Sequence, residues 1–454
     1  MRDDLDELFQ RARNLDAAGS ELEAQRAYVA VLDVDPRHFG ALTNLAAMLE
    51  RRGLSAAALQ GYREVVQAHP GNAIGYVNLG AALYDAGDIE EARECYESAL
   101  RIDQERAEAH QGLAAIFARL GDDVAARHHR RLGFRERAIV RAPYRGTGNA
   151  PRVLLLLSTL GGNVDLRQFL DESRCAVWKV FVDALDTDIE LPPHDVVVNA
   201  IGDADLCGDV LREADALLQR TNAPVLNHPR AVLATGRLAN ARRLSGIPGI
   251  VVPRIQSVPR QDVTQLANGR TAFPLLLRAT GYHTGEHFVR VDDAAHLAGA
   301  AAKLPTSDLL AMEYIDTRSP DGVFRKYRVM LVDGKLYPLH LAISSNWMVH
   351  YFSGQTLDDA AHRAEEQRFL DDMSATIGAE AVGALEAVGR ILALDYGGID
   401  FTFHRNGNVV VFEANATMTI PRLAQAPDDY RRPALARLCA AVGDLQRRQS
   451  LHRR

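Results

Sequence analysis

The sequence predicts a multidomain protein in which an N-terminal all-α repeat solenoid precedes an α/β domain and an α+β domain. Its 454 residues are too many for one hydrophobic core. A pattern with a period of 34 residues runs through the first part of the chain. Short apolar segments typical of buried parallel strands follow it, and alternating apolar and polar segments typical of antiparallel strands come last.

The composition, with 47% hydrophobic and 24% charged residues, is that of a globular protein. A net charge of −7 disfavours nucleic-acid binding. The N-terminal residues MRDDLDELFQ lack the features of a signal peptide, and no apolar run approaches the length of a membrane span. We therefore expect a cytoplasmic location and no membrane association. The four cysteines are far apart, without a C-x-x-C pair, which disfavours a disulfide framework or a zinc site.

Three residue types recur every 34 positions in the N-terminal segment: Gly19, Gly53, Gly87 and Gly121; Ala24, Ala58, Ala92 and Ala126; and Tyr28, Tyr62 and Tyr96. Glycine permits the turn between two helices, alanine lets the helices approach, and tyrosine fills the gap between successive pairs. The pattern resembles tetratricopeptide repeats, with three units from Leu5 to Asp103 and a fourth ending in a polar capping helix, where Arg130 replaces the tyrosine. The resemblance implies a repeat domain over residues 1–140 that binds a peptide or protein on its concave surface. A structural arm or a dimerisation surface, and with it a homodimer, is the alternative.

A linker and a small α/β domain are predicted next. Residues 141–151 read RAPYRGTGNAP, a composition typical of a linker. Buried strands are predicted at 152–157, 177–182 and 195–202, each separated by a segment of helix length. This alternation predicts an α/β domain over residues 152–228.

The segment 397–418, GGIDFTFHRNGNVVVFEANATM, predicts a β-hairpin. Asn406-Gly407 predicts a two-residue turn, and this register places Asp400 opposite Glu413, with Asn415 on the same face. Cross-strand partners lie about 5 Å apart at Cβ, where two carboxylates repel each other, so we expect a cation between Asp400 and Glu413. Carboxylate and amide oxygens are ligands that suit Mg²⁺. The opposite face is predicted to anchor the hairpin through Ile399, Phe401, Phe403, Val410 and Phe412.

Asp400, Glu413 thirteen positions later, and Asn415 resemble the metal-binding signature of the ATP-grasp ligases, in the RimK-like and D-alanine ligase-like branches. In that family such residues hold one or two Mg²⁺ ions, for which Mn²⁺ can substitute, against the phosphates of ATP. The resemblance implies a pre-ATP-grasp α/β domain over residues 152–228. It also implies an ATP-grasp nucleotide-binding and catalytic domain over residues 229–445.

The same resemblance implies a nucleotide site. Arg237 and Arg278 stand where relatives carry phosphate-contacting lysines, although a solvent-exposed helix arginine is the alternative for Arg237. Gly281 and Gly285 lie in a loop whose backbone N–H groups would close over the phosphates. The hinge strand that reads adenine and ribose in the family, here alternatively a simple buried strand, would contribute Glu313, Tyr314 and Ile315.

Catalytic and substrate residues are implied in the same way. Arg328 resembles the arginine of the family's D-x-R strand, which faces the γ-phosphate and the acyl phosphate, and the resemblance implies Asn415 as a second catalytic residue. The acid of that motif is here Lys326. Relatives position substrate in the region that holds His340, Asn346 and His350, for each of which simple packing is the alternative.

The reaction implied by the resemblance has two steps. A carboxylate attacks the γ-phosphate of ATP to give an acyl phosphate, and an amine then displaces phosphate to give an amide and ADP. The implied substrates are a carboxylate and an amine, one of them a peptide or an amino acid. Two other functions stay open: an ATP-grasp kinase that stops at phosphorylation, and a non-catalytic adaptor that binds nucleotide.

Overall fold

The computed structural model describes residues 2–52, 54–166, 170, 174–186, 189–267, 271–282, 285–349, 359–418 and 429–451. The chain divides into two compact units. One unit is Met1–Ala138 with Asp183–Asp186, and the other is Ile139–Val182 with Thr187–Arg454. In the part of the chain that is described, no helix combines the length and hydropathy needed to cross a membrane.

The first unit is built from helix pairs, as the 34-residue period predicts. Its helices are α1 (Arg2–Ala17), α2 (Glu21–Val34), α3 (Phe39–Arg51), α4 (Ser55–Ala68), α5 (Ala73–Ala86), α6 (Ile89–Ile102), α7 (Ala107–Leu120) and α8 (Asp123–Phe134). The recurring alanines and tyrosines are all buried. A Cβ added at Gly112 on α7 would lie 2.2 Å from Cζ of Tyr96 on α6, so glycine is required there for the tyrosine to fit between pairs.

The turn glycines and the capping helix also follow the predicted pattern. Gly19, Gly87 and Gly121 have positive φ, which glycine adopts without steric cost, and Gly53 lies outside the described residues. The predicted capping helix is α8. Its Arg130 is buried rather than solvated, and its Nε lies 3.7 Å from a carboxylate oxygen of Asp183 in the same unit. The position that holds tyrosine in the earlier repeats is therefore filled here by a buried ion pair.

The second unit begins with a five-stranded sheet. Its strands are β1 (Ile139–Arg141), β2 (Arg152–Leu157), β3 (Ala176–Phe181), β4 (Val196–Asn199) and β5 (Val225–Leu226), in the order β1-β3-β2-β4-β5. The three predicted strands are confirmed, and β2 to β5 pair in parallel, although β3 is only partly buried, with Lys179 exposed. Residues 139–141, at the predicted end of the repeat domain, belong to this sheet through β1, which pairs antiparallel with β3.

The predicted alternation of strand and helix is only partly observed. Helix α9 (Gly208–Leu217) lies between β4 and β5. Between β2 and β3, however, the described residues 158–166, 170, 174 and 175 form no α-helix, and between β3 and β4 the described residues form only a short 3₁₀ turn. Helix length in the sequence was therefore not sufficient to predict a helix.

The described residues of this unit form two further sheets. The second contains β7 (Ile255–Pro259), β8 (Leu275–Ala279), β9 (Phe288–Val291) and β10 (Asp308–Glu313), in the order β7-β10-β8-β9. The third contains β6 (Ile250–Val251), β11 (Phe324–Val332), β12 (Lys335–Ser344), β13 (Tyr396–Phe403) and β14 (Val409–Asn415), in the order β12-β11-β13-β14-β6. The remaining helices are α10 (Pro229–Leu233), α11 (Arg237–Leu244), α12 (Leu297–Ala302), α13 (Ala360–Asp371), α14 (Met373–Ile377), α15 (Ala379–Leu392) and α16 (Arg432–Leu451).

The β13–β14 hairpin forms as predicted, but its loop differs. His404 N–H donates to Asn408 and Gly407 N–H donates to His404, so residues 405–407 form a three-residue loop. Gly407 has positive φ whereas Asn406 does not, which excludes the predicted two-residue type I′ turn because that turn needs positive φ at both central positions. The three-residue loop shifts the register by one residue.

A β-bulge reverses that shift further along the hairpin. Phe401 pairs with Val411 and Asp400 pairs with Glu413, so Phe412 is the extra residue. The predicted pairing of the two acids is therefore confirmed, although the predicted loop is wrong. The predicted anchoring face is also partly wrong: Val411, rather than Phe412, is the partner of Phe401, and Val409, rather than Val410, is the partner of Phe403. Phe412 is 40% exposed.

Candidate functional site

A row of four polar side chains crosses the third sheet. His340 on β12 pairs with Arg328 on β11, Arg328 pairs with Asp400 on β13, and Asp400 pairs with Glu413 on β14. Cross-strand partners share a face of the sheet, so the four side chains project to the same side. The ladders β11–β12 and β13–β14 each carry a bulge next to this row, between Arg328 and Val329 and between Asp400 and Phe401. Bulges of this kind re-aim side chains and are frequent beside active sites.

Asp400 is the most deeply buried acid of the row, at 3% exposure. Arg328 binds it through two hydrogen bonds, Nε to Oδ1 at 2.6 Å and Nη2 to Oδ2 at 2.8 Å. Lys326, two residues before Arg328 on β11, places Nζ 3.4 Å from Oδ2. Burial disfavours the ionised carboxyl group, but the two cations outweigh it and hold the pKa of Asp400 below its ordinary value.

Glu413 is held by a different arginine. Arg237, the first residue of α11, donates from Nη2 to Oε1 of Glu413 at 3.0 Å and from Nη1 to Oδ2 of Asp205 at 2.8 Å. The backbone N–H of Arg237 also donates to Asp205. Asp205 follows β4, and its loop is fixed by Asp203, whose carboxylate accepts from the backbone N–H groups of Asp205 and Leu206. The loop after β4 therefore contributes an acid that the sequence did not single out.

Arg278 on β8 reaches the same group of charges from the second sheet. Its Nη2 donates to the backbone carbonyl of Tyr282 at 2.5 Å, and its guanidinium lies over the ring of Phe288, with Cζ 5.4 Å from the ring centroid. Its Nε is buried without a hydrogen-bond partner among the described residues. Burial, and then repulsion by Arg237, lower the pKa of Arg278 to about 10, against attraction by acids that include Glu413. The group stays charged at neutral pH, and an anion would stabilise it.

Asn415 lies two residues beyond Glu413 on β14. Its Nδ2 donates to Oε1 of Glu413 at 3.0 Å, while its Oδ1 accepts from the backbone N–H and the hydroxyl of Thr417 at 3.0 and 2.8 Å. The loop after β4 packs closely here, since a Cβ added at Gly202 would lie 3.1 Å from Cγ2 of Thr417. The end of the hairpin is therefore fixed by side-chain and backbone contacts.

The residues around the hairpin fit a divalent cation in donor chemistry. Asp400 and Glu413 supply carboxylate oxygens on one face of the sheet, and carboxylates suit a hard cation such as Mg²⁺. Asn415 lies on the same face but turns its Nδ2 to Glu413 and its amide oxygen to Thr417, so its side chain must rotate before that oxygen can bind a metal. Clusters of three or more histidine, cysteine and acidic side chains placed to bind a metal do not occur among the described residues. Ligands from outside the protein, such as phosphate oxygens and water, would have to complete the coordination, as is usual for Mg²⁺.

The predicted nucleotide loop and hinge occupy the second sheet. Gly281 and Gly285, in the turn between β8 and β9, both have positive φ, and a Cβ at Gly281 would contact nothing within 4 Å. Glu313 ends β10 and receives a hydrogen bond from Nε of Arg254 at 3.2 Å. Tyr314 and Ile315 follow directly after the strand.

Trp347, which the sequence did not single out, lies beside the hinge. Its ring centroid is 6.1 Å from that of Tyr314 and 5.7 Å from that of Phe288, both in edge-on orientation. Arg290 lies over the ring of Tyr314, with Cζ 4.6 Å from the ring centroid. Phe288, Tyr314 and Trp347 therefore form an aromatic cluster at the hinge, and aromatic rings are the kind of side chain that packs against a planar base.

The three predicted substrate residues, His340, Asn346 and His350, differ in their surroundings and in whether the structure describes them. His340 is 1% exposed, and burial together with Arg328 lowers its pKa well below the ordinary value, so its imidazole is neutral in this structure. Asn346 shapes the turn after β12, because its Oδ1 accepts from the backbone N–H of Met348 and its own N–H donates to Ser344. His350 lies outside the described residues.

Comparison with known proteins identifies the repeats. Residues 80–121 match the family model of the TPR repeat. Two similar proteins of Arabidopsis thaliana are TPR repeat-containing thioredoxin TTL4, 41% identical over 83 residues, and inactive TPR repeat-containing thioredoxin TTL3, 42% identical over 80 residues. These matches span 18% and 17% of this chain but only 12% and 11% of the relatives, so the chain covers about a tenth of their length.

Two solved structures are similar to parts of the chain at low TM-score. MamA from Desulfovibrio magneticus RS-1 is 29% identical, covers 28% of this chain and 71% of its own, and has a TM-score of 0.25. The D-alanine-D-alanine ligase from Coxiella burnetii is 12% identical, covers 67% of this chain and 98% of its own, and has a TM-score of 0.42. Both scores are too low to carry an inference. The family match and the helix pairs make the N-terminal unit a tetratricopeptide repeat region.

Proposed function

We propose that the second unit is an ATP-dependent carboxylate–amine ligase of the ATP-grasp type. The observation that carries the proposal is the contact of Arg237 with Glu413 at the end of a cross-strand row that contains Arg328, Asp400 and Glu413, together with the buried Arg278, whose charge interacts with those of Arg237 and Glu413. Arg278 has no carboxylate partner among the described residues and a buried Nε without a hydrogen bond. An anionic ligand at this place would satisfy it, and the phosphates of ATP supply such an anion.

In this proposal, the second sheet binds the nucleotide. Arg278 and Arg237 contact the α- and β-phosphates, and the loop that contains Gly281 and Gly285 presents backbone N–H groups to them. Glu313, Tyr314 and Ile315 read the adenine and ribose from the hinge. The neighbouring aromatic rings, Trp347 among them, exclude water from the base and so strengthen the polar contacts next to it.

The third sheet carries the chemistry. Mg²⁺, or Mn²⁺ in its place, would be held by Asp400, Glu413 and Asn415 and would neutralise charge on the phosphates. Arg328 faces the transferring phosphoryl group and stabilises the negative charge that builds on its oxygens. His340 stays neutral behind Arg328 and so adds no competing charge.

The reaction proceeds in two balanced steps. A substrate carboxylate oxygen bonds to the γ-phosphorus, the bond from that phosphorus to the β,γ-bridging oxygen breaks, and ADP leaves. An amine nitrogen then bonds to the carbonyl carbon of the acyl phosphate, inorganic phosphate leaves, and the nitrogen loses its proton to solvent. Arg328 stabilises charge in both steps, because each places negative charge on phosphoryl or acyl oxygens.

We propose further that the tetratricopeptide repeats bind a peptide or protein partner of the reaction. Stacked helix pairs present an extended surface suited to a peptide segment. The regular burial of tyrosine and alanine between the pairs gives that surface a rigid support. In this arrangement the repeats bring a peptide to the ligase as substrate or carrier.

The proposal is tested by ATP-dependent ADP release in the presence of amino-acid and peptide pools, with mass spectrometry of the products. Arg328→Gln should abolish product formation. The matched control is Arg325→Gln on the same strand, because Arg325 lies on the opposite face and pairs with Glu365 and Asp321 instead. ADP release with a phosphorylated product and no amide would assign a kinase, and nucleotide binding without turnover would assign an adaptor.

A further inference from the structure

Each acid of the hairpin is already paired with an arginine of the chain. Arg328 takes both oxygens of Asp400, and Arg237 takes Oε1 of Glu413 while also binding Asp205. The Arg237 side chain is 13% exposed, and its burial opposes a charge that Glu413 and Asp205 stabilise. The positive charge that the two acids require is therefore supplied from within the protein.

These pairs affect how a divalent cation can enter. A bare cation that binds Oε1 of Glu413 must displace Arg237 from that oxygen, and in either case it lies close to a guanidinium group. Arg278 adds repulsion, since it lies near enough to Arg237 for the two charges to perturb each other. A polyphosphate removes this obstacle, because its oxygens offer both arginines new charge-assisted hydrogen bonds.

We propose that Arg237 acts as an internal counter-ion of Glu413, so that the site admits a divalent cation only together with a polyphosphate such as a nucleotide. Asp205 is the positioning residue that keeps Arg237 at the site when Glu413 turns to the metal. This inference rests on the proposed nucleotide site and adds a dependence of metal binding on nucleotide. A consequence is that free Mg²⁺ does not occupy the hairpin acids before ATP arrives.

The test is equilibrium dialysis of the full-length protein against MnCl₂, with metal counted on both sides of the membrane. The wild type should retain no excess Mn²⁺ when the metal is alone and should retain it when ADP is added. Arg237→Gln should retain Mn²⁺ without ADP, at least tenfold more tightly than the wild type, which corresponds to about 1.4 kcal/mol. Equal retention of Mn²⁺ alone by the two proteins would overturn the proposal, as would no retention by a folded Arg237→Gln variant.

Two further variants locate the effect. Adding Glu413→Gln to Arg237→Gln should abolish the gained metal binding, because the acid that was exposed is then neutral. Asp205→Asn should still exclude Mn²⁺ alone, since Arg237 keeps its hydrogen bond to Glu413; metal retention by this variant would contradict the assigned roles.

Should Arg237→Gln not fold, Arg237→Lys provides the comparison, since a single ammonium group binds less well to two acids and should give a smaller gain in Mn²⁺ binding. If the wild type retains neither ADP nor Mn²⁺ with ADP, the proposed function fails, independently of the result for metal alone.

Discussion

Replacing Asp400 by asparagine should destabilise the second unit strongly. The substitution leaves Arg328 and Lys326 without the carboxylate that both contact, in a place where their side chains are only 15% and 17% exposed. Breaking a buried ion pair from one side costs about 3–5 kcal/mol, because a charge is left without compensation. We therefore expect Asp400→Asn to lower the free energy of unfolding by an amount in this range, because it removes two hydrogen bonds of 2.6 and 2.8 Å and the contact with a second cation.

The assay is urea denaturation followed by tryptophan fluorescence. Both tryptophans of the chain, Trp178 and Trp347, lie in the second unit, so the signal reports that unit and not the repeats. Asp321→Asn is a matched control, because Asp321 is a half-exposed acid that pairs with Arg325 on the same strand as Arg328. This substitution should lower the free energy of unfolding by less than about 1 kcal/mol. Adding Arg328→Met to Asp400→Asn should recover part of the loss. A cost of Asp400→Asn no larger than that of the control would refute the reasoning.

Three further results are expected. The ionised Asp400 carboxylate stabilises the folded protein fully above its unfolded pKa of about 3.9, and this stabilisation is lost as pH falls through its lower pKa in the folded protein. Acidification should therefore reduce the urea midpoint of the wild type more than that of Asp400→Asn. Burial, and then His110, lower the pKa of His129 to about 4, so the repeats should lose stability as pH falls below about 6.5. The loss should appear as lower protection factors of the α8 amides, corrected for the intrinsic exchange rate at each pH, and should be suppressed in His129→Gln. Gly112→Ala should cost about 1–3 kcal/mol by collision with Tyr96, whereas Gly71→Ala, where a Cβ meets nothing within 4 Å, should leave thermal unfolding by circular dichroism unchanged.

The paired acids were predictable from the sequence, but for a partly wrong reason. Asn-Gly is compatible with more than one loop, and only the backbone shows that Gly407 alone takes positive φ. The register error from that loop is cancelled by the bulge at Phe412, which no local signal in the sequence marks. By contrast, Asp333-Gly334 joins β11 to β12 as a two-residue turn, and there both residues have positive φ.

The ion pairs made by the arginines could not be predicted from the sequence, because they join segments that are far apart along the chain. Arg237 meets Asp205 and Glu413, which are 32 and 176 positions away, and no periodicity relates α11, the loop after β4 and β14. The repeats are the opposite case, since each contact between helix pairs repeats at one fixed spacing. Trp347 could not be predicted as a site residue, because a single aromatic residue after a strand is as consistent with packing as with a binding surface.

The central claim is that the arginines around Asp400 and Glu413 bind the phosphates of a nucleotide, and calorimetric titration with ADP and Mg²⁺ tests it most directly. Saturable binding to the wild type is predicted. Arg278→Met should weaken it by about tenfold or more, since a charge-assisted contact to phosphate contributes roughly 1.5–3 kcal/mol. Arg325→Met, on the opposite face of β11, should bind as the wild type does. Absence of ADP binding to the wild type, or equal affinities in all three proteins, would contradict the account.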